Sequence, residues 1–284
     1  MIAYNHVNNY QGKILKSLKH ILNYVRSFFF ESYDKNVEYD LVIYLWWNIP
    51  NILGRDNIQA KKTLKGIYTE LFPPGNSIKF TGKVSEFIDT HIRPADGIIA
   101  GNQNILNFYD GYGIPVDYAT GSTDISLFKY NRSYSNTETL RICWSGNPNR
   151  NFKGFYEYVK PAFELAKNSC PGLELHTRFD GPLETLPKFY ENADIMINAS
   201  SGDAGPGFII DAGACGVPSI STNIGFASEI IKDYENGLIV ERTVEAIASK
   251  IIEIYNDRNL LKHMSENIYN DVQSNWGHSS RALH

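Results

Sequence analysis

Ala199-Ser200-Ser201-Gly202-Asp203-Ala204-Gly205-Pro206-Gly207-Phe208-Ile209-Ile210-Asp211-Ala212-Gly213-Ala214-Cys215-Gly216-Val217-Pro218 runs from a glycine-rich turn into a short apolar helix and out again. The residues before it, 195–198 (Ile-Met-Ile-Asn), put three apolar residues and an asparagine over the length of a short strand, and residues 217–221 begin another. Gly216 stands where the end of a helix favours a left-handed residue. Strand, turn, helix, strand is the crossover unit of a parallel sheet.

Outward from this unit the same alternation continues. In the second half the sequence predicts strands at 140–145, 173–178, 194–198, 217–221 and 237–240, with helices at 153–168, 184–191, 207–214 and 226–231 between them and 243–256 and 258–273 after them. The first half shows the pattern more sparsely, with strands at 40–44, 66–69, 97–100 and 116–119 and helices at 10–28, 83–91 and 102–111. Residues 129–139 (KYNRSYSNTET) turn polar and lose periodicity, as a linker does. The expected organisation is therefore α/β with two Rossmann-like parallel-sheet domains, 1–132 and 133–265, and a terminal helical segment 266–284 crossing back to the first. No strand is expected before residue 10, which makes the first domain look shortened.

Size and composition agree. A chain of 284 residues, 43% hydrophobic and 20% charged, can bury two cores and leaves little room for long disorder. A formal net charge of -4 gives no reason to expect nucleic acid as a partner. Cys143, Cys170 and Cys215 form no CxxC pair, which suits a reducing compartment and argues against a zinc site. No apolar run reaches the ~20 residues of a membrane span. The working location is the cytoplasm, with peripheral contact at the inner membrane face open to residues 10–30, an amphipathic stretch with basic residues on one side.

Ligands of parallel sheets bind beyond the carboxyl ends of the strands, so the loops there are the place to look for chemistry. After residue 145 come Gly146, Asn147, Arg150, Lys153 and Gly154, a glycine turn with two cations where a helix begins. Free amides at that helix start, with Arg150 and Lys153, suit a diphosphate without a metal. After residue 198 come Asp203, Gly205, Pro206, Gly207, Phe208 and Asp211, in which glycines admit a ligand to the backbone and two carboxylates can accept hydrogen bonds from hydroxyls. The plainer readings are solvated loop cations, an N-cap for Asp203 and a helix-dipole partner for Asp211.

Asp203 and Asp211, with seven residues between them, resemble the E-x7-E signature of the GT-B fold, group 1 glycosyltransferases, with both glutamates shortened. Lys153-Gly154, Tyr190-Glu191-Asn192-Ala193-Asp194 and Glu229 through Glu235-Asn236-Gly237-Leu238 resemble further segments of the family, over residues 139–275. In the first half, residues 95–102 and 119–128 resemble the family's last acceptor-domain strand and the segment that follows it. The resemblance implies that Asp203 contacts the transferred sugar, Asp211 the ribose, and Lys153 the diphosphate, helped by the amides of Gly205–Phe208. Where the family has an arginine after the first-strand glycine this chain has Asn147, and Arg150 is the expected substitute. Glu70, after a middle strand of the first half, is the expected catalytic or orienting acid on the acceptor side.

The implied activity is transfer of a hexose from a nucleotide-diphosphate sugar, UDP or GDP, to the hydroxyl of a glycan, lipid-linked or protein acceptor in glycan or polysaccharide biosynthesis, with retention and without a cofactor or metal. A nucleotide-sugar-binding subunit that needs a partner and a GT-B sugar-nucleotide epimerase carry the same signature. A dinucleotide oxidoreductase does not fit, because no GxGxxG follows the first strand of either half.

Overall fold

The computed structural model describes residues 3–4, 37–44, 58–68, 83–130, 139–203, 205 and 207–277. The chain divides into two units after Thr120, each built on a parallel sheet.

The first unit contains β1 (Ala3–Tyr4), β2 (Val42–Tyr44), β3 (Thr63–Ile67), β4 (Gly97–Ala100) and β5 (Val116–Tyr118), side by side in chain order. Two differences from the sequence reading have local causes. A strand precedes residue 10, with Ala3 opposite Ile43 and Tyr4 opposite Tyr44. The strand expected at 66–69 begins three residues earlier, because Asp96 captures the Thr63 amide at 2.8 Å and sets Leu64 opposite Gly97. In the sheet the Lys65 ammonium is satisfied by the His91 carbonyl at 2.5 Å, and Gly66 lies opposite Ile99. The helix expected at 10–28 lies outside the described residues.

The second unit contains β6 (Leu140–Ser145), β7 (Leu173–Arg178), β8 (Ile195–Asn198), β9 (Ser219–Thr222) and β10 (Leu238–Val240), in the order β10-β9-β8-β6-β7. All neighbours are parallel. Successive side chains of a strand point to opposite faces, and here both faces are buried. Leu140, Ile142 and Trp144 join the core under helices Lys160–Lys167 and Val244–Asn256, whereas Cys143 and Met196 join a second core with helix Gly207–Gly213 and part of Arg258–Asn275. The chain goes from β6 outward to β7 and returns to place β8 on the other side of β6. That reversal opens a crevice between the loops after β6 and β8, the switch point at which doubly wound sheets bind ligands. Among the described strands of the first sheet there is no such reversal.

Division after Thr120 differs from the boundary expected at 132/133. The polar composition that suggested a linker begins later than the structural break. Residues 121–128 are already tied to the second unit: the Thr123 amide donates to the Trp276 carbonyl at 3.0 Å and Phe128 is buried in the second core. At the other end, Ile268, Val272 and Trp276 are buried in that same core, so residues 266–277 belong to the second unit. Residues 278–284 lie outside the described residues, and among the described residues no helix is long and apolar enough to cross a membrane.

Candidate functional site

The loop after β6 is a tight chain of short-range bonds. Gly146 adopts φ 152° to let the chain leave the strand, and the Asn147 side chain accepts from the Asn149 amide at 3.0 Å. A single 3-10 turn, Asn151–Lys153, ends on Gly154 in the left-handed conformation, from which the next helix departs as Phe155–Val159. A side chain at Gly154 would stand 2.7 Å from the Ala199 carbonyl, so the loop after β8 lies directly against it. The amides of Gly146, Asn149, Arg150, Lys153 and Gly154 donate to acceptors within the protein. These amides belong to the loop; the helix itself starts at Phe155, after Gly154.

Lys153 is the side chain best placed to meet an anion. It is 6% exposed, and its ammonium makes a direct ion pair with Asp203 Oδ2. The ammonium also lies 4.8 Å from the Phe208 ring centroid and 5.5 Å from that of Phe152. A buried lysine is tolerable only when paired, and here a carboxylate and two π faces share the charge. Asp203 additionally accepts from the Ser200 hydroxyl at 3.4 Å. Arg150 lies more openly, its guanidinium 5.9 Å from the Phe152 ring. Asn147 is exposed.

Asp211 sits on helix Gly207–Gly213, one helical step of three from Phe208 and so on the same side. It is 4% exposed and its Oδ1 accepts the Thr123 hydroxyl at 2.8 Å. In the turn before the helix, a side chain at Gly205 would meet the Phe226 ring at 1.9 Å, and the Gly207 amide donates to the Gly205 carbonyl at 2.8 Å. The Gly207 amide is thus engaged within the turn. Pro206, and Glu70 of the first unit, lie outside the described residues. Among the described residues no three His, Cys, Asp or Glu side chains form a metal-binding group.

The structure therefore joins Lys153 to Asp203 directly and links both to the Phe208 and Asp211 side of the helix through the Lys153–Phe208 contact. In the other quoted segments, several residues are tied into the fold. Tyr190 is fully buried, Asp194 accepts from the Arg141 amide at 2.8 Å, and Asn236 bonds the Ile230 carbonyl and the Lys232 amide.

Residues 157–271 match the model of the family "Glycosyl transferases group 1". The second unit carries a group 1 glycosyl transferase domain. Over 231 residues the chain is 25% identical to an uncharacterized glycosyltransferase of Methanocaldococcus jannaschii, covering 78% of this chain and 62% of that protein. It superposes on a TarM variant of S. aureus, solved with fondaparinux, alpha-GlcNAc-glycerol and UDP, with TM-score 0.68 at 14% identity, over 86% of this chain and 54% of TarM. On Anabaena HepE in complex with UDP and glucose the TM-score is 0.66 at 15% identity, over 99% of this chain and 97% of HepE. At such identities the likeness is one of fold, and that fold is GT-B. The chain spans less than two thirds of the M. jannaschii protein and of TarM.

Sequence reading missed two partners of the group 1 domain's loops. Thr123 gives no signal, because its acceptor lies 88 positions away. Arg242, just beyond β10, bonds the loops after both β6 and β8. Extending the strand-end search to the last strand of the sheet would have reached it.

Proposed function

We propose that this chain transfers a hexose from a nucleotide-diphosphate sugar to an acceptor hydroxyl, with Lys153 and Asp203 at the centre of the donor site. The observation that carries this reading is the Lys153–Asp203 ion pair at the sheet's switch point, which holds a cation and a carboxylate from two neighbouring strand ends together.

Chemistry follows from the exchange of that pair. A diphosphate entering the crevice competes for the Lys153 ammonium, and Asp203 is then released to accept hydroxyls of the sugar. When the anomeric C–O bond breaks, its electrons go to the diphosphate oxygen. Lys153, with Arg150 beside it, stabilises that growing charge. The acceptor hydroxyl bonds to the anomeric carbon on the face the diphosphate leaves, as retention requires, and its proton passes to the departing diphosphate; Glu70 is proposed as a catalytic or orienting group on the acceptor side. Retention and independence of metals belong to this proposal, as do UDP or GDP as the nucleotide and a glycan, lipid-linked or protein acceptor. Association with the inner membrane face through residues 10–30 is likewise proposed.

A second reading, nucleotide-sugar binding without transfer, is favoured by one observation: Asn147 serves as a turn former where the family places a cation. Thermal-shift and calorimetric titration with UDP-, GDP- and ADP-sugars, followed by product analysis, test both. At 100 times Kd the matched donor stabilises by about 2.7 kcal/mol. Lys153→Ala abolishes that gain under either reading. Product formation with an acceptor supports transfer, binding without product supports the second reading, and no binding to any donor overturns both.

A further inference from the structure

Arg242 reaches two loops at once. It follows β10, and β9 separates that strand from β8 in the sheet. Its Nε donates to the Ala199 carbonyl at 2.8 Å, in the loop that leads to Asp203. Its Nη2 donates to the carbonyls of Phe152 at 3.3 Å and Asn151 at 3.4 Å, in the turn that carries Lys153. The guanidinium lies 4.1 Å from the Tyr158 ring centroid, which fixes its plane. A planar fork with several donors suits this task, whereas an ammonium is a point charge on a flexible stem.

The contact is built into the surrounding backbone. A side chain at Gly154 would approach Arg242 Nη2 to 3.1 Å as well as the Ala199 carbonyl to 2.7 Å, so the absence of one there lets the guanidinium sit between the loops. The Phe152 carbonyl also accepts from the Ser201 amide at 2.9 Å. Arg242 thereby completes a closed set of bonds: from the Lys153 turn to the start of the Asp203 loop, and from both to the end of β10. Among the described residues, removing the guanidinium leaves the Ser201 amide to Phe152 bond and the Lys153–Asp203 pair itself to hold the two loops at their spacing.

We propose that Arg242 is a positioning residue, the clamp that holds the Lys153 turn and the Asp203 loop at the separation a sugar diphosphate requires; the ligand class rests on the function proposed above. Three readouts on Arg242→Ala, Arg242→Gln and Arg242→Lys test it in the full chain. Hydrogen exchange at the Ser201 amide and acylation of the Lys153 amine by acetic anhydride, read by mass spectrometry, need no nucleotide. Calorimetric titration with UDP and GDP is the third. The expectation for Arg242→Ala is at least tenfold faster Ser201 exchange and Lys153 acylation, with exchange in helix Arg258–Asn275 unchanged, and at least tenfold weaker binding of the nucleotide that the wild type prefers. Arg242→Lys is expected to restore less than half of each effect, because one ammonium cannot replace the fork. Should Arg242→Ala not fold, Arg242→Gln carries the same expectations. Wild-type rates in both ligand-free measurements, or full rescue by lysine, overturn the clamp. Failure of the wild type to bind either nucleotide counts against the donor site and leaves the clamp to be judged by exchange and acylation.

Discussion

The Thr123 hydroxyl donates a 2.8 Å hydrogen bond to Asp211 Oδ1, joining the segment just after the division between units to the helix of the Asp203 loop. Both residues are buried, at 4% exposure each. A carboxylate at that depth requires donors, and Thr123 supplies one from 88 positions away.

Thr123→Val keeps the shape and removes the donor, so it is expected to lower stability by about 1.5–3 kcal/mol, the range for a hydrogen bond to a charged group. Asp211→Asn, which can still accept, is expected to cost less. Urea denaturation of the three proteins checks the order, and equal midpoints for Thr123→Val and wild type would contradict it.

Lys153 and Asp203 form a pair whose side chains are 8% and 20% exposed. Replacing Asp203 by Asn strands an ammonium between two phenyl rings, whereas Lys153→Met leaves a carboxylate with access to Ser200 and to solvent. The first is expected to destabilise more than the second, and a double-mutant cycle to give a coupling of about 1–3 kcal/mol. A coupling near zero would mean that the two groups do not support each other in the folded chain.

Gly205→Ala drives a methyl into the Phe226 ring, which is itself packed 5.7 Å from the Trp276 ring. Overpacking of this kind costs about 1–3 kcal/mol. Phe226→Leu opens space, so the double variant is expected to lose less than the sum of the two singles. Strict additivity would show that the turn relaxes by another route.

In the first unit, burial and the neighbouring Lys65 ammonium lower the His91 pKa from its ordinary 6.5. A depressed imidazole binds protons more weakly in the folded chain than in the unfolded one. Its contribution to stability is present above 6.5 and lost as pH falls from there through the folded value. Urea midpoints between pH 8 and pH 5, or exchange within residues 84–92, are expected to show this decline, and His91→Gln to flatten it. An identical slope in the variant would assign the pH dependence to other groups.

Much of the second unit was legible because its signals are local. β6 and β7 coincide with the expected 140–145 and 173–178, since apolar runs bounded by polar turns define a buried strand without reference to the rest of the chain. The strand at 63–67 begins three residues before the expected 66, because Asp96 and the His91 carbonyl, far along the chain, make strand geometry favourable there. The candidate site divides the same way. Lys153 and Asp203 stand out by their position after strands, but the bonds of the loop that carries Lys153, such as the Gly146 amide to the Arg178 carbonyl, are facts of chain geometry that residue types do not reveal.

From residue order alone came the two parallel sheets, the helices that cover them and the strand ends at which charged groups gather, because 2-residue and 3.6-residue periodicities are properties of neighbouring positions. Tertiary structure decided which of those ends meet. Setting β8 beside β6 brings Asp203 to Lys153, folding back the end of the chain anchors Thr123 on Trp276, and the reach of one guanidinium ties the β10 end to both loops. Such contacts depend on strand order and chain closure, which arise from burial of the whole sheet and leave no mark in the local sequence.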